Sequence, residues 1–488
     1  MRSLRLLLLT LSLLPFAVRA NPIDVELSTP HLVKSIETGT AALQLRLEMI
    51  ERAQTSIDVE YFIYHNSDAT RIFTEALVQK KLANPEIRIR LLVDYFGLSK
   101  SIDPYLAHAL IDRGIEVRYY NPSFLLNVAR VTHRNHRKIV LVDQREALVG
   151  GRNMGDEYYD LRPRYNFMNR DLWVRGDIAE HIGTSFQNFW DSGRTKLPKK
   201  PRKPTKTPGD RSSSSYDHQL RIHERKLREA AEFASPFSPE KTNDARLLAL
   251  RAQFKAKGSP LLEDEPAYEV KRIRFIADGP DWKQNFHHVT GPLYYSYLKN
   301  AQKTVSIEVP YFYLQENEEN TFRDLKERAV EVNLLLNAKR ASNEYVVNYI
   351  SLLEGLKFSK LGFNLFLNNG DAQDPAVLVD VPRDARSIWM VHAKTMVVDD
   401  HLTWIGTLNM DPRSVQRLNA ELALVIDDPV FAGVVKAHVH QRYANSTPVL
   451  DGTYIDGDRV VDPAQHDNLW DLIRSINTVP FYIFENQI

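Results

Sequence analysis

The sequence contains no cysteine in its 488 residues. This excludes a disulfide framework, a thiolate metal site and a lipid-modified cysteine. Beyond the first twenty residues no apolar run is long enough to span a bilayer, so the expectation is a soluble or peripheral body. An excess of one charge is missing too. Sixty-three Lys and Arg stand against sixty-two Asp and Glu, a formal charge of +1, and no global field draws the protein onto nucleic acid. Any basic surface must be local. Acidic residues are nowhere clustered at metal-ligand spacing, and no metal or other cofactor is expected.

What is present begins at the N-terminus. MRSLRLLLLTLSLLPFAVRA carries Arg2 and Arg5, an apolar run from Leu6 to Val18 and the small-x-small ending Val18-Arg19-Ala20. This is the pattern of a secretory signal, with cleavage expected after Ala20 or retention as an N-terminal anchor. Either outcome makes the protein exported.

The remainder is internally repetitive. Ser56 to Leu77 and Val305 to Ala329 each read as an alternating strand with an acid three residues before Tyr-Phe, a polar break and a helix, which aligns Asp58 with Glu308. A second strand, a helix and a third strand follow in both halves. Strands alternating with helices predict α/β domains with mixed, largely parallel sheets. The expected organisation is a signal peptide over 1–20, a first α/β/α sandwich domain over 21–193, a basic, Pro/Ser-rich linker or insertion over 194–267, and a second such domain over 268–488 with an aromatic C-terminal tail. The two domains would be related by a pseudo-twofold axis.

A motif occurs once in each half. NHRKIVLVD places His136, Lys138 and Asp143, and VHAKTMVVD places His392, Lys394 and Asp399. After each aspartate comes a glycine-containing turn and an asparagine: Gly150, Gly151 and Asn153 in the first half, Gly406, Thr407 and Asn409 in the second. On a strand, residues two apart share a face, so each His projects with its Lys.

Two histidines, two lysines and two asparagines suit an anionic centre such as a phosphodiester. The cations and amides hold phosphoryl oxygens as charge develops. A neutral imidazole can attack phosphorus, and a protonated one can supply a proton to the leaving oxygen. Such a centre can run a double displacement without a metal.

The duplicated H-x-K-x4-D-x6-G-[GS]-x-N pattern resembles the signature of the phospholipase D superfamily. The strings Arg134 to Asp160 and His392 to Pro429 resemble its bacterial cardiolipin synthase branch most closely. The resemblance covers roughly residues 40–195 and 268–435. It implies the phospholipase D-like fold and a phosphohistidine mechanism, in which His136 attacks phosphorus and His392 protonates the departing alcohol. Lys138, Lys394, Asn153 and Asn409, with Gly151 and Thr407, would hold the phosphate. The superfamily supplies each histidine with an acid on a following strand, here Asp171 for the first and Glu421 for the second. Asp143 and Asp399 complete the catalytic motifs, although their place at the strand ends points to structural work, and Asp411 and Arg413 read as support. A glycine rather than a serine at Gly151 removes one hydroxyl contact, as is ordinary in cardiolipin synthases.

The implied substrate is a glycerophospholipid, with phosphatidyl transfer and hydrolysis both open. A secreted nuclease using the basic stretch is the alternative. Near-zero net charge and export favour lipid. Ser123–Ala129, Ser387–Met390 and the C-terminal tail are candidates for apolar contact with it, or for ordinary packing. Arg194 to Lys206 holds seven basic residues and no acid. It reads as a solvated loop or as a contact for anionic head groups. With both half-sites in one chain, a monomer suffices.

Overall fold

The computed structural model describes residues 22–95, 102–122, 133–206, 213–236, 238, 245–256, 267–281, 288–341, 345–371, 387–415, 418–449, 453–456 and 459–461. The N-terminal signal, Ser123–Ala129 and the tail beyond 461 lie outside them.

Among the described residues the chain forms two nine-stranded sheets of matching order. In the first, Ser56–Tyr61, Arg88–Asp94 and Glu116–Tyr120 run parallel, and Ile139–Val142, Glu146–Gly150, Asp171–Arg175 and His31–Ile36 continue the sheet in antiparallel pairs. The second repeats this with Thr304–Glu308, Glu331–Asn337 and Asn364–Asn368 parallel, followed by Thr395–Val398, Leu402–Gly406, Leu422–Asp427 and Ile273–Ala277. The sheets are therefore mixed, with parallel pairing confined to three central strands. Only there do helices make the crossovers that parallel neighbours require; later strands are joined by a tight turn and then by segments 151–170 and 407–421, which contribute to the inter-lobe ribbons.

Sequence-local signals set the helices. Thr38 and Ser67 cap Gly39–Arg52 and Asp68–Ala83 through side-chain oxygens, and Asp428 with Pro429 starts Pro429–Ala444. Each sheet buries its outer face under its own helices, around Leu45, Phe73 and Leu91 in one lobe and Leu298, Phe322 and Leu336 in the other. The inner faces share one core, in which Ile139, Leu141 and Leu172 pack with Trp389, Val397 and Leu424. The lobes are thus fused through apolar surface.

Their edges are also exchanged. The N-terminal strand Ile23–Leu27 pairs with Ile273–Ala277 of the second sheet, while Tyr268–Val270 pairs with His31–Ile36 of the first. Within 194–267, Thr195–Lys196 extends the first sheet, and Ser213–Phe233 and Ala245–Ala256 are helices, so this stretch is more structured than a linker. Ser387–Met390 overlaps the inter-lobe strand Ile388–Val391, with Trp389 and Met390 buried, which is a packing role.

The sheet register corrects the repeat alignment by two residues. Glu60 lies opposite Ile139 as Glu308 lies opposite Thr395, so Glu60, not Asp58, corresponds to Glu308. Asp58 instead takes a bidentate ion pair from Arg90 at 2.6 and 2.7 Å. Among the described residues no helix is long and apolar enough to cross a membrane.

Candidate active site

Two short parallel ribbons stitch the lobes together and position the chemistry. In one, Asn419–Ala420 lies beside Arg134–Asn135 with Ala420 opposite Asn135, and the His136 amide donates to the Ala420 carbonyl at 3.0 Å. The next residues are His136 and Glu421. In the other, Ile388–Val391 lies beside Tyr165–Met168 with Val391 opposite Met168, and the His392 amide donates to the Met168 carbonyl at 2.7 Å. The next residues are His392 and Asn169. Each histidine therefore meets a partner from the other lobe.

The two partners differ chemically. His136 Nδ1 lies 2.9 and 3.0 Å from the Glu421 carboxylate oxygens, and the hydroxyls of Thr407 and Ser414 also donate to that carboxylate. A carboxylate only accepts, so Nδ1 carries hydrogen and Nε2 keeps its lone pair. His392 Nδ1 lies 2.9 Å from Asn169 Nδ2. Asn169 Oδ1 accepts from the Arg170 backbone N–H at 2.9 Å, which turns the NH2 toward the imidazole. Lys394 Nζ also approaches this nitrogen, at 3.2 Å. With donors facing Nδ1, the neutral His392 ring carries its hydrogen on Nε2. One imidazole is set up to attack and the other to give a proton.

Several expected roles change. Glu421 orients His136, not the histidine of its own half. Asp171 is not a histidine partner: it opens the strand opposite Gly150, and its carboxylate is taken by Arg46 at 2.9 Å and Arg152 at 3.4 Å. The counterpart of Glu421 is Asn169, two residues earlier. Gly151 serves this amide, since a Cβ there would sit 2.3 Å from Asn169 Oδ1. Thr407, its counterpart, spends its hydroxyl on Glu421. Neither acts as a phosphate ligand in this arrangement.

Asp143 and Asp399 stand at the far ends of the strands that follow the histidines. Asp143 accepts from the backbone N–H groups of Gln54, Thr55 and Ser56, and Asp399 from those of Gln302, Lys303 and Thr304. They fasten a strand start to a turn in each lobe, and pair with backbone rather than with a base. Asn153 accepts from the Ile63 amide and donates to the Tyr158 hydroxyl, whereas the buried Asn409 Oδ1 has no hydrogen-bond partner among the described residues. Asp411 accepts from the backbone N–H of Ser414, the residue whose hydroxyl reaches Glu421.

Both motif lysines are buried, and each donates to the carbonyl of its own histidine, at 2.5 Å for Lys138 and 2.6 Å for Lys394. Burial pushes Lys138 down to about 7, partly offset by Glu421, and holds Lys394 well below the usual lysine range. Both imidazoles are held well below the ordinary histidine range, first by burial and then by the two lysines. Burial pushes Glu421 up to about 7 against Lys138 and the hydroxyls. An anion between the lysines relieves their mutual repulsion, so the site is poised for phosphate.

A pH profile follows. Glu421 must be ionised to hold the His136 tautomer, and Lys138 must be protonated to hold a phosphoryl oxygen. The first condition fails as pH falls through about 7 and the second as it rises through about 7. Since the two groups interact, they titrate as a pair. The expected kcat/KM on a soluble short-chain phosphodiester is a narrow bell centred near neutrality; a plateau extending to about pH 9 would contradict the lowered lysine.

Aromatic rings wall the histidines. Phe62 meets His136 edge-on at 5.2 Å, and Phe167 and Tyr158 lie 5.0 and 5.4 Å from His392. These rings, with Asn169 and Ser414, were missed by the sequence reading. Asn169 is not an acid, but the position is legible: counting from Gly151 and Thr407 to the facing strand reaches Asn169 and Glu421 alike.

The cardiolipin synthase, PLD-like domain family profile matches residues 47–190 and 294–443. Cardiolipin synthase C of Escherichia coli is 24% identical over 425 residues, 84% of this chain and 84% of that protein. An uncharacterized protein of Helicobacter pylori strain J99 is 28% identical over 430 residues, 84% of this chain and 79% of that protein. Among solved structures, the phosphatidylserine synthase of Haemophilus influenzae superposes with a TM-score of 0.63 at 14% identity, covering 94% of this chain and 96% of that one. That likeness concerns the fold. The two profile matches coincide with the two lobes that each contribute half of one histidine centre, and the chain belongs to the phospholipase D superfamily, in its cardiolipin synthase-like branch.

Proposed function

We propose that the protein is a phosphatidyltransferase acting on glycerophospholipids through a phosphohistidine intermediate, with a polyol hydroxyl or water as acceptor. The observation that carries the mechanism is the pair of opposite partners at Nδ1, the Glu421 carboxylate at His136 and the Asn169 amide at His392, from which Nδ1–H on the first ring and Nε2–H on the second follow. His136 Nε2 attacks phosphorus, the ester bond to the departing alcohol breaks, and His392 gives its Nε2 proton to that oxygen while the Lys394 ammonium, 3.2 Å from Nδ1, passes a proton to that nitrogen, so the ring stays neutral. In the second half-reaction the acceptor hydroxyl gives its proton to His392 Nε2, Nδ1 returns its proton to Lys394, and the acceptor oxygen displaces His136 from phosphorus. Lys138 and Lys394 lie where they can neutralise the non-bridging oxygens. Since one chain supplies both histidines and both orienting partners, this reading requires no second subunit.

The E. coli relative's name favours transfer over hydrolysis, and the chain's near-zero charge disfavours a nuclease. Incubation of purified protein with labelled phosphatidylglycerol, phosphatidylethanolamine and phosphatidylcholine tests the reading. Cardiolipin or another exchanged phospholipid is the expected product. Phosphatidic acid alone would make the enzyme a hydrolase, and cleavage of DNA or RNA with no lipid product would overturn the proposal.

A further inference from the structure

The basic stretch after the first lobe has a shape as well as a charge. From Leu197 to Lys206 the backbone is neither helix nor strand, and burial repeats every three residues: Pro198 is buried, Pro201 and Pro204 are half-buried, and the residues between them are exposed. A period of three with proline at each repeat is the geometry of polyproline II, which advances about 3.1 Å per residue. The proline row faces the lobe. Lys199 and Arg202 form a second row and Lys200, Lys203 and Lys206 a third, with neighbours in a row about 9 Å apart.

This ribbon is held in place. Thr195–Lys196 pairs with Glu116–Tyr120, His108 Nε2 lies 3.2 Å from the Pro198 carbonyl oxygen, and the Lys206 ammonium sits 5.2 Å over the Tyr216 ring. Among the described residues Lys199, Lys200, Arg202 and Lys203 make no ion pair. A fixed row of uncompensated cations is thus exposed on a chain of formal charge +1. Beside it, Leu197 is 71% exposed.

The far end of the ribbon lies toward the catalytic end of the first sheet. The ribbon leaves the sheet after Thr195–Lys196, which lie opposite Tyr120 and Tyr119, and passes His108 on Pro104–Ile111. It ends at Tyr216, near the start of helix Ser213–Phe233. That helix runs parallel to Pro104–Ile111, since Lys226 reaches Asp103 and Arg113 reaches the Ala231 carbonyl. Its first turns therefore project past the start of Pro104–Ile111. This is the end where Asp94 holds Arg134 and the amide of Asn135, next to His136.

We propose that this ribbon docks the enzyme on a bilayer rich in anionic phospholipid, with the head-group phosphates meeting the two basic rows, Leu197 entering the interface, and the catalytic end turned toward the membrane. The docking stands on charge and geometry; what the docked enzyme then does rests on the phospholipid reading above.

The test uses the full chain and a variant carrying Lys199→Gln, Lys200→Gln, Arg202→Gln and Lys203→Gln, all exposed, with circular dichroism to verify the fold. Co-sedimentation is measured with phosphatidylglycerol/phosphatidylcholine vesicles and with pure phosphatidylcholine vesicles. Each basic side chain at an anionic surface is worth about a fivefold factor, so the variant should lose roughly 10²-fold or more of its binding to the mixed vesicles. Wild-type binding should weaken with salt and be slight on pure phosphatidylcholine. Equal binding of variant and wild type, or of the two vesicle types, overturns the proposal. Ribbon-dependent binding of a DNA duplex without vesicle binding also overturns it. Turnover of detergent-dispersed phospholipid separates the two readings: docking without turnover leaves this proposal standing and removes the enzymatic one, and turnover with ribbon-independent sedimentation does the reverse.

Discussion

His136→Ala is expected to abolish turnover on every substrate, whereas His392→Ala is expected to lose about 10²–10⁴-fold on a natural phospholipid and to recover on an activated one. The difference follows from the two partners. Glu421 leaves the His136 Nε2 lone pair free for attack, and nothing else among the buried site groups replaces that nucleophile. Asn169 and Lys394 place donors at Nδ1 of His392, so this ring's role is to deliver the Nε2 proton. A p-nitrophenyl phosphodiester has a leaving group that needs no proton. With it, His392→Ala should complete the first step and accumulate phosphoenzyme, because the second step still lacks a base. Rapid quench followed by mass spectrometry of peptides spanning residues 134–145 and 390–402 locates the phosphoryl group. Label on His392 in the wild type would reverse the assignment, and unimpaired activity in both variants would remove the covalent mechanism.

The second large effect is on stability. Arg170 is wholly buried between the lobes and forks onto Glu37 at 2.6 and 2.9 Å while also reaching Glu308 and the Thr395 hydroxyl. Arg442 closes the ring, at 2.9 Å from Glu308 and 3.0 Å from Glu37. Two cations and two carboxylates balance, and members come from both lobes. Despite the opposing effect of burial, Arg170, with His438 and Arg442, holds the Glu37 carboxyl well below the usual range. Arg170→Ala leaves an uncompensated buried negative charge and a cavity, and removing one member of such a pair typically costs about 3–5 kcal/mol. Urea unfolding should show a loss of that order. Activity should fall as well, because the alanine keeps the backbone N–H that fixes Asn169 but loses the side-chain anchor that holds that backbone in place. A change below about 1 kcal/mol would mean that the apolar inter-lobe core alone holds the lobes in place.

Much of this was readable in one dimension. The paired motifs were legible because His, Lys, Asp, glycine and Asn are spaced by a hairpin whose register is local: Thr395–Val398 turns directly into Leu402–Gly406, and Ile139–Val142 into Glu146–Gly150. Alternating strands and helices gave the two α/β lobes for the same reason. The misreadings involve contacts made across strands and between lobes rather than along one strand. Asp171 looked like a histidine partner because it is the acid on the expected strand, but strand register puts it opposite Gly150, within reach of Arg46 and Arg152. Asp58 and Glu308 looked equivalent because both precede Tyr-Phe by three residues, and a slip of two preserves the face while changing the partner. The sheets are mixed as expected, but how far the parallel pairing extends was not legible, because sequence does not state which neighbour a strand will choose.

By itself, the sequence determined that there are two copies of a histidine–lysine centre, that they belong to α/β halves, and that their chemistry suits an anionic phosphorus centre. Those properties depend on residue type and short-range spacing. Only the tertiary structure decided that each histidine is oriented from the opposite lobe, and that one partner is a carboxylate and the other an amide. It also decided that the two edge strands are exchanged. These depend on the inter-lobe core and on parallel ribbons joining segments more than two hundred residues apart, such as His136 with Glu421, where burial and register, rather than spacing along the chain, select the contact.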